Sequence, residues 1–180
     1  MAPAMVQASI KVWLALNAEK AQSAVSLLAE ISRLHFNYGA KRLYMTCWLG
    51  FFDPATGHLE YASAGHPYPI IVRKDGNTEI LKLAGMPLGI RQKATVSGDS
   101  RFLEKGSSLV LYTDGIVETT DSKNQMLGFD GFAAICAGIA GMPAAAAVEE
   151  ILARAADWGP KNDDQSVIVL CRQPEAGEKQ

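Results

Sequence analysis

The chain has 180 residues, 48% hydrophobic and 20% charged, with a formal net charge of -2. That length is enough for a sizeable core, and that balance excludes a disordered chain. Lys and Arg are scattered and the apolar runs are short. No nucleic acid partner and no membrane insertion are therefore expected.

Residues 3 to 36 have helical spacing. Val6, Ile10, Trp13 and Leu14 recur on one face, as do Val25, Leu28, Ile31 and Leu34. Two helices are expected, over 3–16 and 18–36, with Asn17 capping the second. From 43 to 52 the run LYMTCWLGFF is rich in aromatic and strand-prone types. The turn Asp53-Pro54-Ala55-Thr56-Gly57 and a second strand over 58–64 complete a hairpin. Another hairpin is expected from strands at 69–73 and 78–83 around Asp75-Gly76-Asn77. A strand is expected around ATVSG, and one more over 107–113. After Gly128 the pattern is helical again: a short helix from Phe129 to Ile139, then one over 143–158 with Pro143 in its first turn. SVIVLCR, at 166–172, is a last strand apolar enough to be buried on both faces. Strands in runs and helices in runs predict an α+β fold of antiparallel sheets flanked by helices, not alternating βαβ units.

Cys47, Cys136 and Cys171 show no Cys-x-x-Cys spacing and lie in apolar stretches. They are expected to be core thiols in a reducing, cytoplasmic setting. No charged segment leads into an apolar signal-like region.

The chemistry centres on LVLYTDG. Asp114 follows a strand that looks buried, and a buried unpaired carboxylate is costly. Asp-Gly is a common turn, so one reading is a turn and the other a metal ligand. Asp163 and Asp164 precede the final strand. If the two strands pair antiparallel, the three carboxylates converge at one rim of a sheet. Carboxylates are hard oxygen donors suited to Mg²⁺ or Mn²⁺. His66 reads as a loop-shaping residue, and His35 and His58 as surface or helix-end residues. Glu118 and Asp121 read as solvated loop charges. The loop from Gly85 to Gly89 lacks the Lys-Ser/Thr of a phosphate loop.

FFDPATGHLEYASAGHPYPIIVR, GMPLGI, LVLYTDGIVET and NDDQSVIVL, in that order along the chain, resemble the SpoIIE-like branch of the PPM-type metal-dependent serine/threonine phosphatases. The resemblance implies a β-sandwich of two antiparallel sheets between helices, in α-β-β-α layers, with the first strands missing. It implies a Mn²⁺ or Mg²⁺ site, with two ions in the family, whose bridging water attacks a phosphoserine or phosphothreonine. By resemblance Asp114 and Asp163 are the metal-binding and catalytic pair, acting through metal-bound water, with Gly115 and Asp164 as neighbouring candidates. Family members carry further acidic residues upstream, including an Asp before a Gly-His-Gly turn, which this sequence lacks. A fragment of a longer chain, a misplaced start and a degenerated site all fit that departure. The family domain is taken as residues 1–172, its C-terminal part, and 173–180 as a disordered tail.

The resemblance implies a protein phosphatase domain in bacterial signalling, with an incomplete metal site and slight activity for the chain without the upstream acidic residues. Its implied substrate is a phosphorylated regulator of the anti-anti-sigma type, and a sensor or receiver domain upstream is compatible with it. The alternatives are a catalytically incomplete regulatory or partner-binding module, and a small-ligand domain whose aspartates are only turns. A homodimer is expected, because missing strands would leave sheet edges and apolar surface uncovered.

Overall fold

A computed structural model of the chain describes residues 3–39, 43–92 and 96–173. Its elements in order are α1 (Pro3–Asn17), a 3₁₀ turn (Ala18–Lys20), α2 (Ala24–Tyr38), β1 (Cys47–Phe52), β2 (His58–Ala64), β3 (Ile70–Val72), β4 (Thr78–Ile80), β5 (Ser97–Phe102), β6 (Ser108–Tyr112), α3 (Asp114–Val117), α4 (Gly128–Ala137), α5 (Ala144–Trp158) and β7 (Val167–Cys171). They fall into two compact units. The first takes Met1–Asp53, His58–His66 and Leu83–Arg101; the second takes Pro54–Gly57, Pro67–Lys82 and Phe102–Gln180.

In the first unit β1, β2 and β5 form a three-stranded sheet in that order. The β1–β2 hairpin is antiparallel, running from Cys47 opposite Ala64 to Phe52 opposite Leu59. Helix α2 covers this sheet, and Ala24, Leu27, Leu28 and Ile31 bury themselves against Ala62, Ala64 and Leu88. Ile10, Trp13 and Leu14 of α1 pack on the same core.

The expected helix over 18–36 is two pieces. Asn17 does not cap it: its Nδ2 donates back to the Trp13 carbonyl at 2.8 Å, closing α1 instead. The cap is Ser23, whose Oγ accepts from the Ser26 N–H at 3.0 Å while Ser26 Oγ accepts from the Ser23 N–H at 3.1 Å. This reciprocal pair satisfies two N–H groups left open at the helix start. His35 is a helix-end residue as expected but is buried, not at the surface, with Nε2 2.9 Å from the Leu43 carbonyl oxygen.

The second unit has a four-stranded sheet in the order β4-β3-β6-β7, antiparallel throughout. Helix α4 packs on β3 and β4, and α5 on β7. Its core gathers Ile70, Val110, Tyr112, Phe132, Ile139 and Ile151. Tyr112 lies 4.3 Å from the Phe132 ring, and its hydroxyl donates to the Tyr68 carbonyl at 2.9 Å. Burial pushes that phenol well above its usual range, so it stays a neutral donor.

Several boundaries differ from expectation. The first strand starts at Cys47, preceded by a single bridge from Met45 to Leu88, and β4 stops at Ile80. The strand expected around ATVSG is centred later, at Ser97–Phe102; its first residues, 94 and 95, lie outside the described residues. Pro143 stands just before α5 in extended backbone, where its fixed φ still suits a helix start. β7 is not buried on both faces: it is the sheet's last strand, and Ile168 is 62% exposed. Of the cysteines, Cys136 is fully buried, while Cys47 and Cys171 are partly so. All three are free thiols. The polar tail lies outside the described residues from 174 onward. No helix among those described is long and apolar enough to cross a membrane.

Replacing Ser23 with Ala should cost about 1 kcal/mol in urea unfolding, through loss of the α2 cap. Phe132→Ala should cost about 3–5 kcal/mol with little change in the denaturant slope, because the ring is fully buried in the second core.

Candidate metal centre

The site is built by the pairing of β6 with β7, in which Tyr112 stands opposite Val167. The chain leaving β6 and the chain entering β7 therefore run side by side. Thr113 ties them together. Its N–H donates to the Ser166 carbonyl at 3.1 Å, and its hydroxyl donates to the Asp164 carbonyl at 3.2 Å. The same hydroxyl accepts from the Ser166 N–H at 2.9 Å.

Asp114 is the first residue of α3 and is exposed. The charge after the buried strand is thus not itself buried, and no desolvation has to be offset. The Asp-Gly pair is not a hairpin turn but the opening of a helical turn: the Glu118 N–H donates to the Asp114 carbonyl at 2.9 Å. Asp114 Oδ1 accepts from the Gly115 N–H at 3.0 Å. Asp163 is also exposed, and its Oδ1 accepts from the Asp164 N–H at 2.7 Å. Each carboxylate is oriented by the next residue's backbone, and neither makes an ion pair among the described residues. Asp164 is fully exposed, with Oδ1 3.6 Å from Lys161 Nζ.

At Gly115 the two segments lie too close for a side chain between them. A Cβ on it would stand 2.6 Å from the Asp164 carbonyl oxygen and 3.4 Å from the Asp163 carbonyl carbon. Only a residue without a side chain allows that approach. The Gly115 carbonyl accepts from Thr119 Oγ1 at 3.0 Å and from Gln165 Nε2 at 3.1 Å. Both of its lone pairs are therefore committed to protein donors.

Asp114 and Asp163 are hard, anionic oxygen donors on adjoining segments, and this chemistry fits Mg²⁺ or Mn²⁺. Among the described residues no group of three or more His, Cys, Asp or Glu side chains could hold a metal ion. Two carboxylates would hold such an ion, with water supplying its remaining ligands. Asp121 is engaged elsewhere: its Oδ1 accepts from the Lys123 and Gln125 N–H groups, each at 2.8 Å. The residues that sequence reading passed over are Thr113, Thr119 and Gln165. Their signal was their position, polar and close to the two acidic segments.

The first unit has a pocket of a different kind. It is about 300 Å³, mostly apolar, and lined by Val6, Ile10, Trp13, Ile31, Leu34 and His35. It has no carboxylate and offers nothing to a hard cation.

The family described as Stage II sporulation protein E (SpoIIE) matches residues 1–173. Phosphoserine phosphatase RsbP of Bacillus subtilis (strain 168) is 28% identical over 104 residues, which are 56% of this chain and only 26% of that relative's length. The SiaA-PP2C domain of Pseudomonas aeruginosa superposes with a TM-score of 0.77 at 19% identity, over 92% of this chain and 67% of that one. The Mn-presoaked phosphatase domain of the cell fate determinant SpoIIE from Bacillus subtilis superposes with a TM-score of 0.64 at 17% identity, over 87% and 68%. These likenesses establish the fold as the mixed helix and antiparallel-sheet arrangement of those phosphatase domains. From its match over residues 1–173, the chain belongs to the SpoIIE family of PPM-type phosphatases.

Proposed function

We propose that this chain is a metal-dependent protein serine/threonine phosphatase domain, with Asp114 and Asp163 holding a Mn²⁺ or Mg²⁺ ion and Asp164 beside them. One observation carries the reading: two exposed aspartates, each oriented by its neighbour's N–H, on segments that β6–β7 pairing brings together. The Mn presoak of the SpoIIE phosphatase domain supports the choice of cation. RsbP, named a phosphoserine phosphatase, supports a phosphoserine or phosphothreonine substrate. The family resemblance supports a bacterial signalling regulator of the anti-anti-sigma type as the protein that carries it.

The residues divide the work simply. Asp114 and Asp163 bind and orient the cation. Thr113 keeps the two segments in register, and Gly115 allows their close approach. A bound divalent cation supplies Lewis acidity, lowering the pKa of coordinated water and screening phosphoryl oxygens. No protein nucleophile is required. The thiols suit none, since burial pushes Cys47 up to about 11 and Cys136 up to about 12, far from a reactive thiolate at neutral pH.

A second reading has its own support. The lack of a three-residue ligating cluster among the described residues favours a regulatory or partner-binding module that keeps the fold. It predicts binding of a phosphopeptide without turnover.

Association with a second copy also belongs to the proposal. Helix α1 exposes Met5, Val12 and Leu16 by 58%, 61% and 68%. A second chain covering them would remove that apolar surface from water.

With Mn²⁺ present, the chain should hydrolyse a phosphoserine peptide, and EDTA should stop it. Asp114→Asn and Asp163→Asn should each reduce the rate to the metal-free background. A rate that survives both substitutions overturns the metal assignment, while binding without turnover selects the second reading. Light scattering at high micromolar concentration should give twice the monomer mass, and Val12→Glu with Leu16→Glu should return it to the monomer. A strict monomer before substitution overturns the dimer.

A further inference from the structure

We infer that Gln165 is a positioning residue that sets the separation of Asp114 and Asp163 through a closed hydrogen-bond triangle with Gly115 and Thr119. The inference rests on the metal-site reading above and goes one step deeper into it. Gln165 Nε2 donates to the Gly115 carbonyl at 3.1 Å and to Thr119 Oγ1 at 3.0 Å. Thr119 Oγ1 donates to the same Gly115 carbonyl at 3.0 Å. Each group takes part in two of the three bonds, within its donor and acceptor capacity. The amide nitrogen is the donor to both acceptors. The hydroxyl gives one proton and accepts one. The carbonyl fills both lone pairs. The amide orientation is fixed by this network, because a flipped Gln165 would set its oxygen against a carbonyl oxygen.

The triangle answers a need that the aspartates do not meet themselves. The bonds from Asp114 to Gly115 and from Asp163 to Asp164 are between neighbours in sequence. They set each side chain's direction but not the distance between the two. That distance depends on links across the chain. Thr113 supplies one, just before Asp114, to Asp164 and Ser166. Gln165 supplies a second, just after Asp114, reaching a residue 50 positions away. Thr119 is fully buried and closes the short helical turn that Asp114 opens, so the brace acts on that turn directly. Further along, Asn162 Nδ2 donates to Thr120 Oγ1 at 3.1 Å, and Trp158 Nε1 donates to the Gln125 carbonyl at 3.2 Å. Both continue the same seam outward. Without Gln165 the α3 turn and the Asp163 segment remain joined at Thr113 and at Asn162–Thr120, but lose the link between those two, the one made to the residue just after Asp114. Residues that orient ligands typically change metal affinity by about 10–100-fold when removed.

The experiment uses the full chain and two readouts. Gln165→Met keeps the side chain's length and removes its donors. Thr119→Val keeps the shape and removes the hydroxyl, and Thr119→Ser restores it. In the absence of metal, amide hydrogen exchange should quicken across residues 114–119 in Gln165→Met and Thr119→Val but not in Thr119→Ser. With Mn²⁺ added, the free-ion electron paramagnetic resonance signal at a temperature well below unfolding should report about tenfold weaker binding in the first two variants. Together they should weaken binding no more than either alone, since one triangle is broken. Unchanged exchange and unchanged affinity in Gln165→Met overturn the positioning role. If Asp114→Asn and Asp163→Asn weaken binding while Gln165→Met does not, the site stands and the brace fails. If the unsubstituted chain binds no Mn²⁺, or if Asp114→Asn and Asp163→Asn leave its affinity unchanged, the site reading itself fails and this inference with it. Faster exchange with unchanged Mn²⁺ affinity makes the triangle merely structural and also overturns it.

Discussion

The antiparallel pairing of β6 with β7 is the constraint on which the candidate centre depends. Five residues of each strand are in register, from Ser108 opposite Cys171 to Tyr112 opposite Val167. A shift of one residue would turn every side chain of β7 to the other face, so burial of one face locks the register. Val110, Tyr112, Ile151 and Phe132 supply that burial. The consequence at the strand ends is geometric. Thr113 must meet Asp164 and Ser166, and the two acidic segments must leave the sheet together.

The sheet's rim also resolves the electrostatic question that the sequence raises. Tyr112 is buried and Gly115 to Val117 are buried, yet Asp114 between them is exposed. The short α3 turn makes this possible, because it folds its apolar residues into the core while its first side chain stays in water. Asp163 is exposed in the same way. Two like charges near each other are tolerable in water, where screening is strong, and would be costly in the interior. A pair held apart by backbone links and left facing solvent is suited to gain from a cation, since bringing one in replaces repulsion with attraction.

The first unit shows a different economy. Its core lies between α2, with part of α1, and the β1–β2 hairpin, and α2 is held by its Ser23–Ser26 cap and by Glu60, whose Oε1 accepts from the Ala24 N–H at 2.7 Å. That carboxylate sits at a helix N-terminus, where the partial positive charge of open N–H groups favours it. Helix α1 contributes Ile10, Trp13 and Leu14 to this core and leaves Met5, Val12 and Leu16 in water. Its apolar stripe is wider than its own unit uses.

Much of this was legible in the residues alone. Strand-prone types and turn residues marked both hairpins, helical spacing marked α1, α2 and α5, and the motifs around Asp114 and Asp163 pointed to the family. These signals are local or carried by order along the chain, so a single sequence holds them. Other features were not readable. The cap of α2 is Ser23 rather than Asn17 because capping depends on where a helix starts, and the break at 21–23 has no strong local mark. β7 read as doubly buried because its composition is apolar throughout, but strand order makes it the edge of its sheet. Asp114 read as a buried charge because a sequence does not show which way a short helical turn faces. Gln165, Thr113 and Thr119 carried no motif of their own. Their roles arise from hydrogen bonds between residues about 50 positions apart, which exist only once β6 and β7 have paired.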